Sequence, residues 1–179
     1  MVRAAVVLLA LLAAPTSHVI RTSATIQHLG GWKIERDPTL RGAIRALGRP
    51  TSCRTLDGPD HAVARWRPLG VAIELRTYAT PPRGRTGCTA PGSIQVDHVR
   101  VTSRSWVTSL GLRVGDPTTR LRQLYPRARR KPGSYWLVTR RGGCVGVCDT
   151  LFVTIPVLTA EVRGGKVAAL YLHVGAEGD

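Results

Sequence analysis

Acidic residues, lysine and large aromatics are all scarce in this chain of 179 residues. Eleven Asp and Glu stand against 26 Lys and Arg, and only three of those cations are lysines: Lys33, Lys131 and Lys166. One Phe, four Tyr and four Trp leave the core to Val, Leu, Ile and Ala, with each Trp a large anchor. So few acids give paired-carboxylate chemistry little to draw on. Glu35 and Asp37 are the closest useful pair, and Asp37 is needed where a helix begins. No Gly-x-Ser-x-Gly, Ser-x-x-Lys, His-x-x-x-His or His-Glu-x-x-His pattern occurs, so the familiar nucleophile and metallohydrolase signatures are missing. The Gly-rich run Gly142-Gly143-Cys144-Val145-Gly146 lacks the Gly-Lys-Ser/Thr ending of a phosphate loop and reads as a Cys-pinned surface loop. The expectation is a protein with no catalytic residue, no cofactor, no bound metal and no small-molecule substrate.

Long apolar runs are also missing, with one exception. Arg3 is followed by an uninterrupted Ala, Val and Leu run from Ala4 to Ala14, closed by Pro15, Thr16 and Ser17. That length suits the core of a signal peptide and falls short of the roughly 20 residues needed to span a bilayer. Residues 1–17 are therefore expected to be a signal peptide, cleaved between 14 and 24, with the remainder secreted or periplasmic. No Cys directly follows the run, so a lipid anchor is not expected. Four cysteines, Cys53, Cys88, Cys144 and Cys148, form an even set suited to an oxidising compartment. Pairing Cys53 with Cys88 and Cys144 with Cys148 keeps each bridge within one half of the chain. A lone Cys-x-x-x-Cys with no His nearby is a poor zinc ligand set.

The organisation is legible from periodicity and stop signals. Asp37-Pro38-Thr39 opens a helix through Leu40, Ala43, Ile44 and Leu47 that Gly48-Arg49-Pro50 ends. Asp37 is the expected cap of that helix. Strands are expected over 62–67, over Val71 to Arg76, and over Ile94 to Thr102. The apolar phase of the last slips between Val96 and Val99, which predicts a bulge at Asp97-His98. Only such a bulge could bring these two neighbours together, because adjacent strand residues point to opposite faces. In the second half Asp116-Pro117 repeats the helix start, Leu121, Leu124 and Tyr125 follow at helical spacing, and Pro126 stops the helix. Tyr135 to Arg140 and Leu151 to Val162 read as strands, the latter broken at Pro156. Arg163-Gly164-Gly165-Lys166 is a hairpin turn into a strand from Val167 to Val174. The shared order gives an α+β fold of two tandem units, residues 25–102 and 103–179. Each unit would be a short helix, or helix pair, packed on an antiparallel sheet.

The run Thr39-Leu40-Arg41-Gly42-Ala43-Ile44-Arg45-Ala46-Leu47-Gly48-Arg49-Pro50 resembles the helix and Leu-Gly-x-Pro stop of the SmpA/OmlA (BamE-like) domain. Val114-Gly115-Asp116-Pro117 through Leu124-Tyr125-Pro126 resembles the corresponding form in exported relatives. Two such units in tandem are similar to the architecture of the β-lactamase-inhibitor-protein family. The resemblance implies an exported, non-enzymatic module that binds another protein through its sheet face. Asp37-Pro38-Thr39 stands where that family carries Gly-Met-Thr, and the lipidation Cys is missing, so outer-membrane anchoring does not carry over.

The surface candidates follow from the charge. A formal net charge of +15, spread over the whole chain, suits an anionic polymer as an alternative partner to a protein. Arg65-Trp66-Arg67 and Arg104-Ser105-Trp106 interleave tryptophan with arginine, so Trp66, Arg76, Arg104 and Trp136 are the candidate binding surface; the alternative is that the tryptophans anchor a sheet to a helix.

Overall fold

A computed structural model of the chain describes residues 18–56, 58, 60–77, 87–142 and 153–174. The expected signal peptide and the Cys144 and Cys148 pair lie outside these residues.

Alternation dominates the structure. In Val71–Arg76 the residues Val71, Ile73 and Leu75 are buried while Ala72, Glu74 and Arg76 face partly into solvent. Four antiparallel strands form a meander: β4 (Ser52–Thr55), β5 (His61–Trp66), β6 (Val71–Arg76) and β7 (Gln95–Val101). Four more follow later in the chain: β9 (Arg129–Lys131), β10 (Ser134–Gly142), β11 (Val153–Arg163) and β12 (Lys166–His173). Strands β7 and β12 pair edge to edge, Leu170 with Val101 and Leu172 with Val99. All eight therefore make one antiparallel sheet in the order β4-β5-β6-β7-β12-β11-β10-β9. A smaller sheet joins β1 (Val19–Thr22), β2 (Gln27–Leu29), β3 (Trp32–Lys33) and β8 (Val107–Thr108). Its β1–β8 pairing is parallel and ties the first described residues to the middle of the chain.

The expectation of an α+β fold in two helix-on-sheet units is corrected by this topology. The structure is mostly β, with only two short α-helices among the described residues, α1 (Leu40–Leu47) and α2 (Thr118–Leu124). Each half leaves an unpaired strand edge, β7 and β12, and pairing those edges satisfies backbone groups that separate units would leave open. The core is likewise shared. Ile73, Leu75, Val99, Val101, Leu158, Leu170 and Leu172 from the sheet pack with Leu40 and Ala43 of α1 and Leu121 of α2 in one buried cluster.

The helix starts also differ in detail. Thr39, not Asp37, caps α1, its hydroxyl accepting from the Gly42 N–H at 3.2 Å. Asp37 instead accepts from the Thr39 hydroxyl at 2.6 Å and pairs with Arg45. In α2 no side chain caps the N-terminus, and Asp116 accepts from the Arg113 N–H at 2.9 Å. In both places helical backbone is disfavoured for the residue before proline, and the Asp lies outside the helix. The hairpin at Gly164 and Gly165 forms as expected, with φ of 55° and 73°, the left-handed region a two-residue turn requires.

Candidate functional site

Three of the four tryptophans are core residues, with 3% (Trp32), 2% (Trp66) and 1% (Trp106) of their surface exposed. Each spends its indole N–H internally, on the carbonyls of Asp37, Gly48 and Leu69 respectively. Trp66 is thus corrected from surface candidate to core anchor. It follows Arg65 on β5, and in a strand neighbours face opposite ways. Arg104 is exposed, but it sits in the turn between β7 and β8, outside the sheet. Arg76 and Trp136 lie on the large sheet, on β6 and β10, with β7, β12 and β11 between them. The four candidates do not converge.

The face of the sheet opposite the core gathers other residues. Register places Arg65, Ala72, Arg100, Tyr171, Thr159, Trp136 and Arg129 in one row across β5, β6, β7, β12, β11, β10 and β9. The Arg100 Nε–H donates to the Tyr171 hydroxyl at 2.8 Å, and that hydroxyl donates to Glu161 at 3.0 Å. Arg163 and Arg100 approach the same carboxylate at 2.5 and 3.6 Å. At the far end the Lys131 ammonium lies 4.3 Å from the centre of the Trp136 ring. The row presents cations and aromatic rings held by one another, and Arg100 keeps 38% of its side chain exposed.

A second row lies beside it. Val63, Glu74, His98 and His173 are in register across β5, β6, β7 and β12. Pairing runs Glu74 with His98 and then Leu75 with Val96, so Asp97 is the extra residue of a bulge, as the phase slip in the sequence predicts. The bulge brings Asp97 and His98 together: Asp97 Oδ2 lies 3.4 Å from His98 Nδ1, and Glu74 Oε2 lies 3.1 Å from His98 Nε2. His61 Nε2 meets the other oxygen of Glu74 at 2.6 Å. His173 is hydrogen-bonded to Thr159 at 3.1 Å and stacks on Tyr171 at 6.3 Å. The sequence singled out the Asp97-His98 pair but not Glu74 as its partner, because Glu74 is brought there by cross-strand register over a long sequence separation.

Electrostatics fix the state of the first row. Burial alone would raise the pKa of Glu161, but the hydrogen bond from Tyr171 and the charges of Arg163 and Arg100 outweigh it. The carboxyl is held below its usual range. Burial is also the largest influence on Tyr171 and raises its pKa, so the phenol stays protonated and donates at neutral pH. Because the folded Glu161 is the stronger acid, its stabilisation is fully present above the ordinary carboxylate pKa. It is lost as pH falls through the lowered folded value. Glu161→Gln should therefore flatten the acid limb of a plot of melting temperature against pH and lower stability at neutral pH. An unchanged acid limb would show that the carboxylate is not held in this way.

The Cys53–Cys88 disulfide joins β4 to the turn that precedes β7, with the Cα atoms 5.8 Å apart. Its presence suits an oxidising compartment. Among the described residues no helix is long and apolar enough to cross a membrane. No protein-family model matches the chain, and neither a curated protein nor a solved structure matches it.

Proposed function

We infer that the chain is an exported, non-enzymatic module of the cell envelope or extracellular space that binds another protein through the face opposite its core. One observation carries this reading: the in-register row from Arg65 to Arg129, in which Arg100, Tyr171 and Trp136 stand partly exposed and braced by neighbours. Arginine, tyrosine and tryptophan are the side chains that dominate protein interfaces, and a ring already held by its neighbours, as Tyr171 is by Arg100 and Glu161, loses little freedom on binding. The resemblance of Thr39 to Pro50 and of Val114 to Pro126 to the BamE-like domain supports the same class, and the disulfide supports the compartment. Immobilised protein should capture a specific partner from culture medium or envelope extract. The double variant Arg65→Glu, Trp136→Ala should lose that protein, and Arg122→Ala on α2 should retain it. Equal capture by all three would overturn the assignment of the face.

The basic edge favours a second reading, an anionic envelope polymer as ligand. Arg129, Arg130 and Lys131 are all exposed on β9, the last strand of the sheet. Affinity for a heparin-like polymer should then fall steeply with salt. Replacing these three residues with alanine should reduce the slope of log affinity against log salt by up to about three. Binding indifferent to salt would exclude this alternative.

A further inference from the structure

We propose that Glu74, Asp97 and His98 form a binding site for a divalent transition-metal ion of the zinc type on the face opposite the core. One imidazole nitrogen and two carboxylate oxygens from these residues all lie within 4.8 Å of one another. Glu74 Oε2 lies 3.1 Å from His98 Nε2 and Asp97 Oδ2 lies 3.4 Å from His98 Nδ1, so a single ion would take one of the two ring nitrogens after a rotation of the side chains. Glu74 comes from β6, while Asp97 and His98 are neighbours on β7 that could not face one point without the bulge. Bulges re-aim side chains at functional positions, and this one gathers a mixed nitrogen and oxygen set.

A second observation concerns how loosely the charge of the buried Asp97 is met. The Asp97 side chain is only 9% exposed, yet no hydrogen bond among the described residues ends on its carboxylate. Its nearest nitrogens are His98 Nδ1 at 3.4 Å and, in an ion pair, Arg76 Nε at 3.5 Å. A buried carboxylate is ordinarily satisfied by short hydrogen bonds or a metal. Here Glu74 adds a second carboxylate beside it, which increases the need for positive charge. His61 completes the arrangement from the side. Its Nε2 holds Glu74 Oε1 at 2.6 Å and leaves Oε2 turned toward His98, the role an outer partner plays around a metal ligand. A single imidazole with two carboxylates leaves a tetrahedral ion one position for water or for a group from a bound partner. The site is distinct from the protein-binding reading and does not depend on it.

Isothermal titration of the metal-stripped full chain with zinc chloride should show one site of micromolar affinity or better, with magnesium chloride giving no comparable heat. Asp97→Asn and His98→Ala should each weaken zinc binding by about tenfold or more, and His61→Ala by about tenfold. His28→Ala, which removes the His28–Glu35 pair at 2.8 Å on the small sheet, should leave it unchanged. Cobalt substitution gives a check on unaltered protein: visible absorption of a four-coordinate ion with nitrogen and oxygen ligands is expected. No zinc binding by the unaltered chain would overturn the proposal. Zinc binding retained by both Asp97→Asn and His98→Ala would overturn it equally, because the ion would then lie elsewhere.

Discussion

Removing the Cys53–Cys88 bridge is expected to destabilise the protein by about 4 kcal/mol, because the bridge closes a loop of 35 residues in the unfolded chain. The loop runs from β4 through β5 and β6 to the turn before β7, so it contains the strands that carry Arg65 and Glu74. Strand β4 is an edge strand held by β5 alone on one side, and the disulfide ties it covalently to the turn that precedes β7. Urea unfolding of the Cys53→Ala, Cys88→Ala variant should show a much lower midpoint. A loss below about 1 kcal/mol would mean that the unfolded chain already keeps these segments together.

Trp106→Ala should have a cost of similar size, about 3–5 kcal/mol. The indole is 1% exposed and is the largest fully buried side chain, and its N–H reaches the Leu69 carbonyl at 2.8 Å. It anchors the segment between β7 and β8 within the core cluster. Trp106→Phe separates the two contributions. It keeps most of the ring but leaves the carbonyl unpaired, so a loss of about 1–3 kcal/mol is expected. If the alanine variant lost no more than the phenylalanine variant, the cavity would be closing, contrary to the close packing described.

How much of this could be read in the sequence depends on the range of the forces involved. Short-range chemistry was legible. The Leu40–Leu47 helix, the alternating strand Val71–Arg76, the Gly164-Gly165 turn and the bulge at Asp97 follow from spacing and turn residues alone. Segments without contrast were not. Strand β9 is Arg129-Arg130-Lys131, exposed throughout, and carries no alternation to mark it. Strand β4 was obscured by the turn-rich residues after it. Larger errors came from pairing at a distance. Nothing local announces that β7 and β12 join edge to edge, so one sheet of eight strands was expected as two units.

The candidate site divides in the same way. Trp66 looked like surface because arginines flank it, but strand geometry sends the Trp inward and Arg65 outward. Trp136 is half-buried on β10, and Tyr171, Arg100 and Glu74 acquire their meaning only from partners on neighbouring strands.

The most direct test of the central claim is side-chain footprinting of the chain, free and with its captured protein partner, by hydroxyl radicals and mass spectrometry. In the free protein Trp136, Tyr171, His98 and His173 should react, while Trp66 and Trp106 stay silent. On binding, protection should fall on that reactive set on β7, β10 and β12, leaving exposed residues of α1 and α2 unchanged. Protection confined to the helices, with Trp136 and Tyr171 still fully reactive in the complex, would contradict the account.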